Sequence, residues 1–175
     1  MEIQKAIEAL NSELKKIDCK FTLYICGGAA LKFLGIITRD TVDIDVIEKG
    51  LDPVLIKAKD AVAKRLHISE QWLNNKVGGL ISRLSSDWME TSTKIFNGSN
   101  LVIFALSRQN LINSKLHAAV DRHAEDYDDL ISLAPSINEI EVAQIYTLKQ
   151  SGKIETYEVF VKALVKTLKE ELGLK

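Results

Sequence analysis

The chain has 175 residues and a mass of 19.5 kDa, enough to bury a sizeable core in one domain with room for a helical subdomain. Hydrophobic residues at 46% and charged residues at 27% exclude a chain dominated by disorder. A formal net charge of −1 and a pI near 6.3 exclude global attraction for nucleic acid, so any RNA contact has to come from a local basic patch.

In chain order, Ile3, Ile7, Leu10, Leu14 and Ile17 recur at helical spacing and predict an amphipathic helix over residues 2–17. The apolar run Phe21 to Cys26 reads as a buried strand that ends at a Gly27-Gly28 turn, and Ala29 to Leu34 as a short helix. A second strand, Val42 to Ile47, alternates Val42, Ile44 and Val46 with Asp43 and Asp45. Asp52-Pro53 opens a helix that runs to about Leu66. Residues 67–90 lose periodicity and read as loops and short helices, with Ser69 as a cap and Trp72 as a core anchor. Thr93 to Phe96 and Leu101 to Leu106, joined by Asn97-Gly98-Ser99-Asn100, predict a hairpin that completes a sheet. A helix capped by Ser107 begins near Arg108, and helices over 138–150 and 154–172 flank Ser151-Gly152. Val159, Phe160, Ala163, Leu164 and Leu168 supply the packing stripe of the last one. These elements predict an α/β (α+β) fold, with a core over 1–106 and a helical C-terminal part over 107–175 packed on it.

Chemistry concentrates in two places. Glycines at the end of a strand let backbone approach a polyphosphate without an intervening Cβ, although such a pair is also an ordinary turn. Asp43 and Asp45 leave one face of a strand about 7 Å apart, and paired acids suit a hard divalent cation such as Mg²⁺; a solvated outer face is the alternative. If helix runs unbroken from Ser107 through Leu133, its core positions are Ile112, Leu116, Val120, Tyr127 and Leu130. Lys115, Arg122, Asp126 and Asp129 then share a side, and a break near Ala124 would disturb that register. Lys115 then suits a β- or γ-phosphate and Asp126 or Asp129 an acceptor hydroxyl; an exposed face with an Arg122–Asp126 pair is the alternative. Cys19 and Cys26 have no metal-site or disulfide-framework spacing, and His117 and His123 are not an i,i+4 metal pair.

Gly27-Gly28, a short helix, Arg39, Thr41 and Asp43-Ile44-Asp45-Val46 together resemble the first motif of the nucleotidyltransferase superfamily related to DNA polymerase β. Trp72-Leu73-Asn74, Lys115-Leu116-His117-Ala118, Asp121-Arg122 and Asp126-Tyr127-Asp128-Asp129-Leu130 resemble its bacterial AbiEii-type branch, which includes toxins. The resemblance implies a small mixed sheet and Mg²⁺ or Mn²⁺ on Asp43 and Asp45. It also implies NTP binding by Gly27, Gly28, Arg39, Thr41, Lys115 and Asp129, with Lys115 and Asp126 in the active site. The implied reaction moves an NMP from an NTP to a hydroxyl of RNA, tRNA among them, or protein, in a toxin–antitoxin or phage-defence setting with a cognate antitoxin as partner. One departure stands out. Many superfamily members carry a third acid on a strand where this chain has Leu101 to Leu106, which contains none. Asp87 or Glu90 could stand in, or the chain is a non-catalytic nucleotide- or partner-binding module. No run approaches the ~18 apolar residues of a membrane span and no secretory signal opens the chain, so no membrane contact and a cytoplasmic location are expected.

Overall fold

A computed structural model describes residues 3–122, 124–150 and 155–174. The chain divides into two units, Met1–Ser107 and Arg108–Lys175. The first begins with α1 (Ile3–Lys16), which buries Ile3, Ala6, Ile7, Leu10 and Leu14. Its end is a Schellman turn: Cys19 N–H bonds the Leu14 carbonyl at 3.1 Å, Asp18 N–H bonds the Lys15 carbonyl at 3.2 Å, and Asp18 is left-handed at φ 50°. The turn swings Ile17 off the apolar stripe, and it is exposed against expectation.

Strand β1 (Phe21–Cys26) is followed directly by α2 (Gly27–Phe33), so both glycines belong to the first turn of the helix. Strand β2 is short, Ile44–Val46. It runs antiparallel to β1, and the ladder ends at Cys26 opposite Asp45 because β1 stops there. Val42 and Asp43 therefore have no β1 residue to pair with, and Val42 is 80% exposed where burial was expected. Helix α3 (Pro53–Leu66) is capped by Asp52, whose Oδ1 accepts from Val54 N–H at 2.7 Å, with proline in its first turn.

Short 3₁₀ turns at Glu70–Trp72 and Gly78–Arg83 bracket β3 (Leu73–Asn74), a two-residue strand that periodicity did not predict. Ser69 caps the first turn at 3.1 Å, and buried Trp72 donates its Nε1–H to the Lys59 carbonyl at 3.1 Å, which makes it the expected anchor. Strands β4 (Thr93–Asn97) and β5 (Leu101–Ala105) form the expected hairpin. The sheet order is β3-β2-β1-β5-β4, parallel between β2 and β3 and between β1 and β5, antiparallel elsewhere. Leu101, Ile103 and Ala105 are buried, and α1 packs on β5 and α3.

The second unit is helical: α4 (Arg108–Arg122), α5 (Ala124–Leu133), α6 (Ile137–Gln150) and α7 (Glu155–Glu171). Of the positions expected in the helical core, Ile112, Leu116, Tyr127 and Leu130 are buried, and Val120 is half-buried. Helix α6 opens with a capping box, in which Ser136 N–H bonds Glu139 Oε2 at 2.8 Å and Glu139 N–H bonds Ser136 Oγ at 3.3 Å. Arg108 ties this start to the end of α5, reaching Glu139 at 2.7 Å and the Leu133 carbonyl at 2.6 Å. Helix α7 packs on α4 and α6. It buries Val161, Val165 and Leu168, whereas Val159 and Phe160 are two-thirds exposed, 66% and 67%, which corrects the expected stripe. The helix is apolar on more than one side, so periodicity alone could not choose between the 160/164/168 and 161/165/168 rows. Ser151-Gly152 lies outside the described residues. The molecule thus has the expected α/β (α+β) class: a mixed sheet flanked by helices and a helical C-terminal part. Among the described residues, no helix is long and apolar enough to cross a membrane.

Candidate active site

The candidate residues form two clusters, one in each unit. The first lies where β1 gives way to α2. Gly27 sits at φ +70°, a conformation that L side chains rarely adopt, and a Cβ placed there would lie 2.8 Å from Asp45 Oδ2. The Asp45 carboxylate thus rests over a bare glycine backbone. At Gly28 a Cβ would meet the Thr41 methyl at 3.0 Å and the Arg39 guanidinium at 3.5 and 3.6 Å. Thr41 is buried, and its hydroxyl lies 3.5 Å from the Asp43 carbonyl. On the surface beside this cluster, Lys32 of α2 pairs with Asp40 and holds its carboxyl below the ordinary aspartate value. Gly27, Gly28, Arg39, Thr41 and Asp45 therefore meet at one point, with Asp43 two residues before the ladder's end.

Asp43 and Asp45 are both half-buried. What orients Asp43 is Asn74, a residue that sequence reasoning quoted only within a longer motif. Strand β3 pairs Asn74 with Asp45, and Asn74 Nδ2 donates to Asp43 Oδ2 at 3.1 Å. Its Oδ1 accepts from Lys76 N–H at 3.0 Å, and the side chain is almost fully buried. A two-residue strand leaves no periodic signal; the available clue was an amide directly after the apolar pair Trp72-Leu73. The topology also moves the question of the third acid. Strand β5 pairs with β1, on the opposite side from β2, whereas the strand beside Asp45 is β3. The position flanking the acids is therefore an amide. Asp87 and Glu90 lie exposed before β4, outside the sheet.

Among the described residues, no three His, Cys, Asp or Glu side chains gather so that they could hold a metal ion by themselves. Two carboxylates are nonetheless enough for Mg²⁺, which binds one or two of them and fills its remaining positions with water and substrate phosphate. The donor set fits a cation that arrives with a triphosphate and does not fit an all-protein cage.

The second cluster joins α4 to α5. Lys115 Nζ lies 2.8 Å from Asp126 Oδ1 and 2.6 Å from Asp129 Oδ2, and Arg122 reaches Asp126 Oδ2 at 2.7 Å. In an unbroken helix Lys115 would stand about 16 Å from Asp126 and about 21 Å from Asp129 along the axis. The ion pairs therefore overturn the continuous helix: the chain folds back, and α5 packs on α4. Folding back buries three charged side chains, which is tolerable only because Lys115 and Arg122 together balance the two aspartates. Burial alone would pull the Lys115 pKa down, but the hydrogen bonds it donates to Asp126 and Asp129, and their charges, hold it above the ordinary lysine value. A phosphate has to compete with two carboxylates for this ammonium group. His117 Nδ1 lies 3.0 Å from the Tyr157 hydroxyl, while His123 is outside the described residues.

Over residues 1–169 the chain matches the family described as nucleotidyltransferase of unknown function (DUF6036). That description carries the nucleotidyltransferase assignment and not the AbiEii-type branch. No curated protein and no solved structure matches the chain. With a glycine-backed acidic cluster in its first unit and nearly the whole chain covered by the match, the protein belongs to this nucleotidyltransferase family of unknown function.

Proposed function

We propose that the protein transfers a nucleoside monophosphate from an NTP to a hydroxyl and releases pyrophosphate. The observation that carries this reading is Asp45 lying against the Cβ-free backbone of Gly27, with Asp43 held by buried Asn74. Gly27 and Gly28 let the triphosphate approach the main chain, and Arg39 beside Gly28 offers it a planar set of donors. Asp43 and Asp45 would hold Mg²⁺ or Mn²⁺, which when bound neutralises phosphate charge and lowers the pKa of an attacking oxygen. Asn74 keeps one Asp43 oxygen engaged and so limits the directions its carboxylate can take. The acceptor oxygen forms the new bond to the α-phosphorus, the bond from that phosphorus to the bridging oxygen breaks, and the hydroxyl proton leaves to a carboxylate or to water. By the sequence resemblance Lys115 serves the β- or γ-phosphate; its ammonium group is held by Asp126 and Asp129, so a phosphate would have to displace a carboxylate. By the sequence resemblance the acceptor is an RNA, tRNA included, or a protein hydroxyl, and the setting is a toxin with a cognate antitoxin.

Two observations favour a second reading, a nucleotide-binding module without turnover: Asn74 occupies the position flanking the acids, and Lys115 is saturated by carboxylates. The deciding experiment offers each α-labelled NTP, with Mg²⁺ or Mn²⁺, to total RNA, to tRNA and to the protein itself. Label transferred by the wild type and lost in the Asp43→Ala/Asp45→Ala variant supports the transferase. Transfer that survives in that variant refutes it. No label, with Mg²⁺-dependent NTP binding intact, selects the binding module.

A further inference from the structure

Beyond the acidic cluster, the first unit has an open concavity of about 290 Å³ lined by Lys49, Asn75, Lys76, Gly78, Gly79 and Ser82. Among the described residues, no carboxylate lines it. Among the described residues neither lysine has an ion-pair partner, whereas Lys16, Lys32, Lys59 and Lys115 are paired. In a chain with 23 basic and 24 acidic residues, two exposed lysines lining one hollow make a local positive spot.

The backbone that carries these lysines is fixed. Asn75 Nδ2 donates to the Glu48 carbonyl at 3.3 Å, and Gly78 N–H bonds the Asn75 carbonyl at 3.0 Å. Gly78 lies so close to the Glu48 carbonyl that a Cβ would collide with it, so the wall requires glycine. Lys76 N–H bonds Asn74 Oδ1, and the same Asn74 side chain holds Asp43. The hollow is therefore mechanically continuous with the acidic cluster.

Position and size are compatible with a phosphate-bearing chain as ligand. Lys49 follows Asp45 by four residues, at most about 14 Å of extended chain. In a stacked helix each nucleic-acid strand carries one phosphate per ~3.4 Å of rise, so a strand stacked in that way with its end at the acids passes this hollow a few nucleotides back. A volume of about 290 Å³ is at the small end for a ligand pocket and suits a stretch of sugar-phosphate backbone. We propose that Lys49 and Lys76 bind phosphates of a single-stranded RNA whose acceptor end lies toward Asp43 and Asp45. The placement of that end rests on the transferase reading; the binding itself does not.

The test is fluorescence anisotropy with a labelled single-stranded RNA, over a salt series, on the full chain and its Lys49→Gln/Lys76→Gln variant. A Lys20→Gln/Lys57→Gln variant removes the same charge from exposed lysines elsewhere in the unit. Two phosphates at ~0.7 per contact flatten the slope of log K against log salt by about 1.4, so between ~50 and ~200 mM salt the wild type loses about sevenfold more affinity than the pocket variant. That result, with unchanged melting temperature, unchanged Mg²⁺-dependent NTP binding and no such effect in the control variant, supports the proposal. It is overturned by absence of RNA binding in the wild type, by equal slopes, or by an equal effect in the control. It is overturned also if inorganic phosphate displaces RNA at matched phosphate concentration, which marks a free-anion site, or if the pocket variant loses NTP binding instead. RNA binding without label transfer would leave this inference standing and remove only the transferase reading.

Discussion

Replacing Lys115 with methionine keeps most of the stem volume and removes the charge that Asp126 and Asp129 share. Asp129 is 1% exposed and loses a partner at 2.6 Å, while Asp126 keeps Arg122 at 2.7 Å. Breaking a buried ion pair from one side costs about 3–5 kcal/mol. Because Arg122 still compensates Asp126, the low end, about 3 kcal/mol, is expected, which at ~2–4 °C per kcal/mol lowers Tm by about 6–12 °C. Adding Asp129→Asn removes the buried charge that has lost its lysine, so the double variant should melt above the Lys115→Met single variant, with a coupling of about 1–3 kcal/mol. The pH dependence follows from the raised lysine pKa. A group whose folded pKa is raised contributes its full stability below the unfolded value, here 10.5, and loses it as pH rises through the higher folded value. The gap between wild type and Lys115→Met should therefore stay flat from neutral pH to about pH 10 and close only above 10.5. Thermal unfolding followed by circular dichroism across pH reads all of this. Strictly additive single-variant effects, or a gap that closes near neutral pH, would refute the buried triad as described.

Gly27→Ala forces an L side chain into a left-handed conformation at about 1–2 kcal/mol and pushes a methyl into Asp45, so it should weaken Mg²⁺-dependent NTP binding more than Gly28→Ala does. Isothermal titration of both variants checks this, and the reverse order would contradict the site geometry. Asn74→Asp sets a third carboxylate against Asp43 at a contact now 3.1 Å long. It should lower Tm without divalent cation and gain more from added Mg²⁺ than the wild type does; melts with and without Mg²⁺ decide it. Burial pushes the Glu139 pKa up, but Arg108 and the backbone and hydroxyl of Ser136 hold it below the ordinary glutamate value of 4.5. The stability from Glu139 is then present above 4.5 and lost as pH falls through the lower folded value, so the Tm deficit of Glu139→Gln should shrink on acidification. A deficit that stays constant down to low pH would count against this capping contact.

What the amino-acid sequence determined by itself is what depends on neighbours along the chain. The apolar period of α1, the run that became β1, the Asp52-Pro53 start of α3, the Ser69 cap and the Asn97–Asn100 turn each act within a few residues, and each is where local reasoning puts it. The two glycines and the two aspartates were legible as candidates for the same reason, since residue type and short spacing carry that signal, whereas Arg39 and Thr41 came from the family resemblance. Contacts between distant segments were not legible. Val42 is exposed because β1 ends opposite Asp45, Asn74 reaches Asp43 because β3 joins the edge of β2, and α7 turns Val161 inward because its partners are α4 and α6. Lys115 meets Asp126 and Asp129 only because the chain folds back, and no helical period encodes a reversal. Charge burial selects such arrangements, since a lysine and two aspartates leave water at tolerable cost only together, and only the tertiary structure brings them to one place.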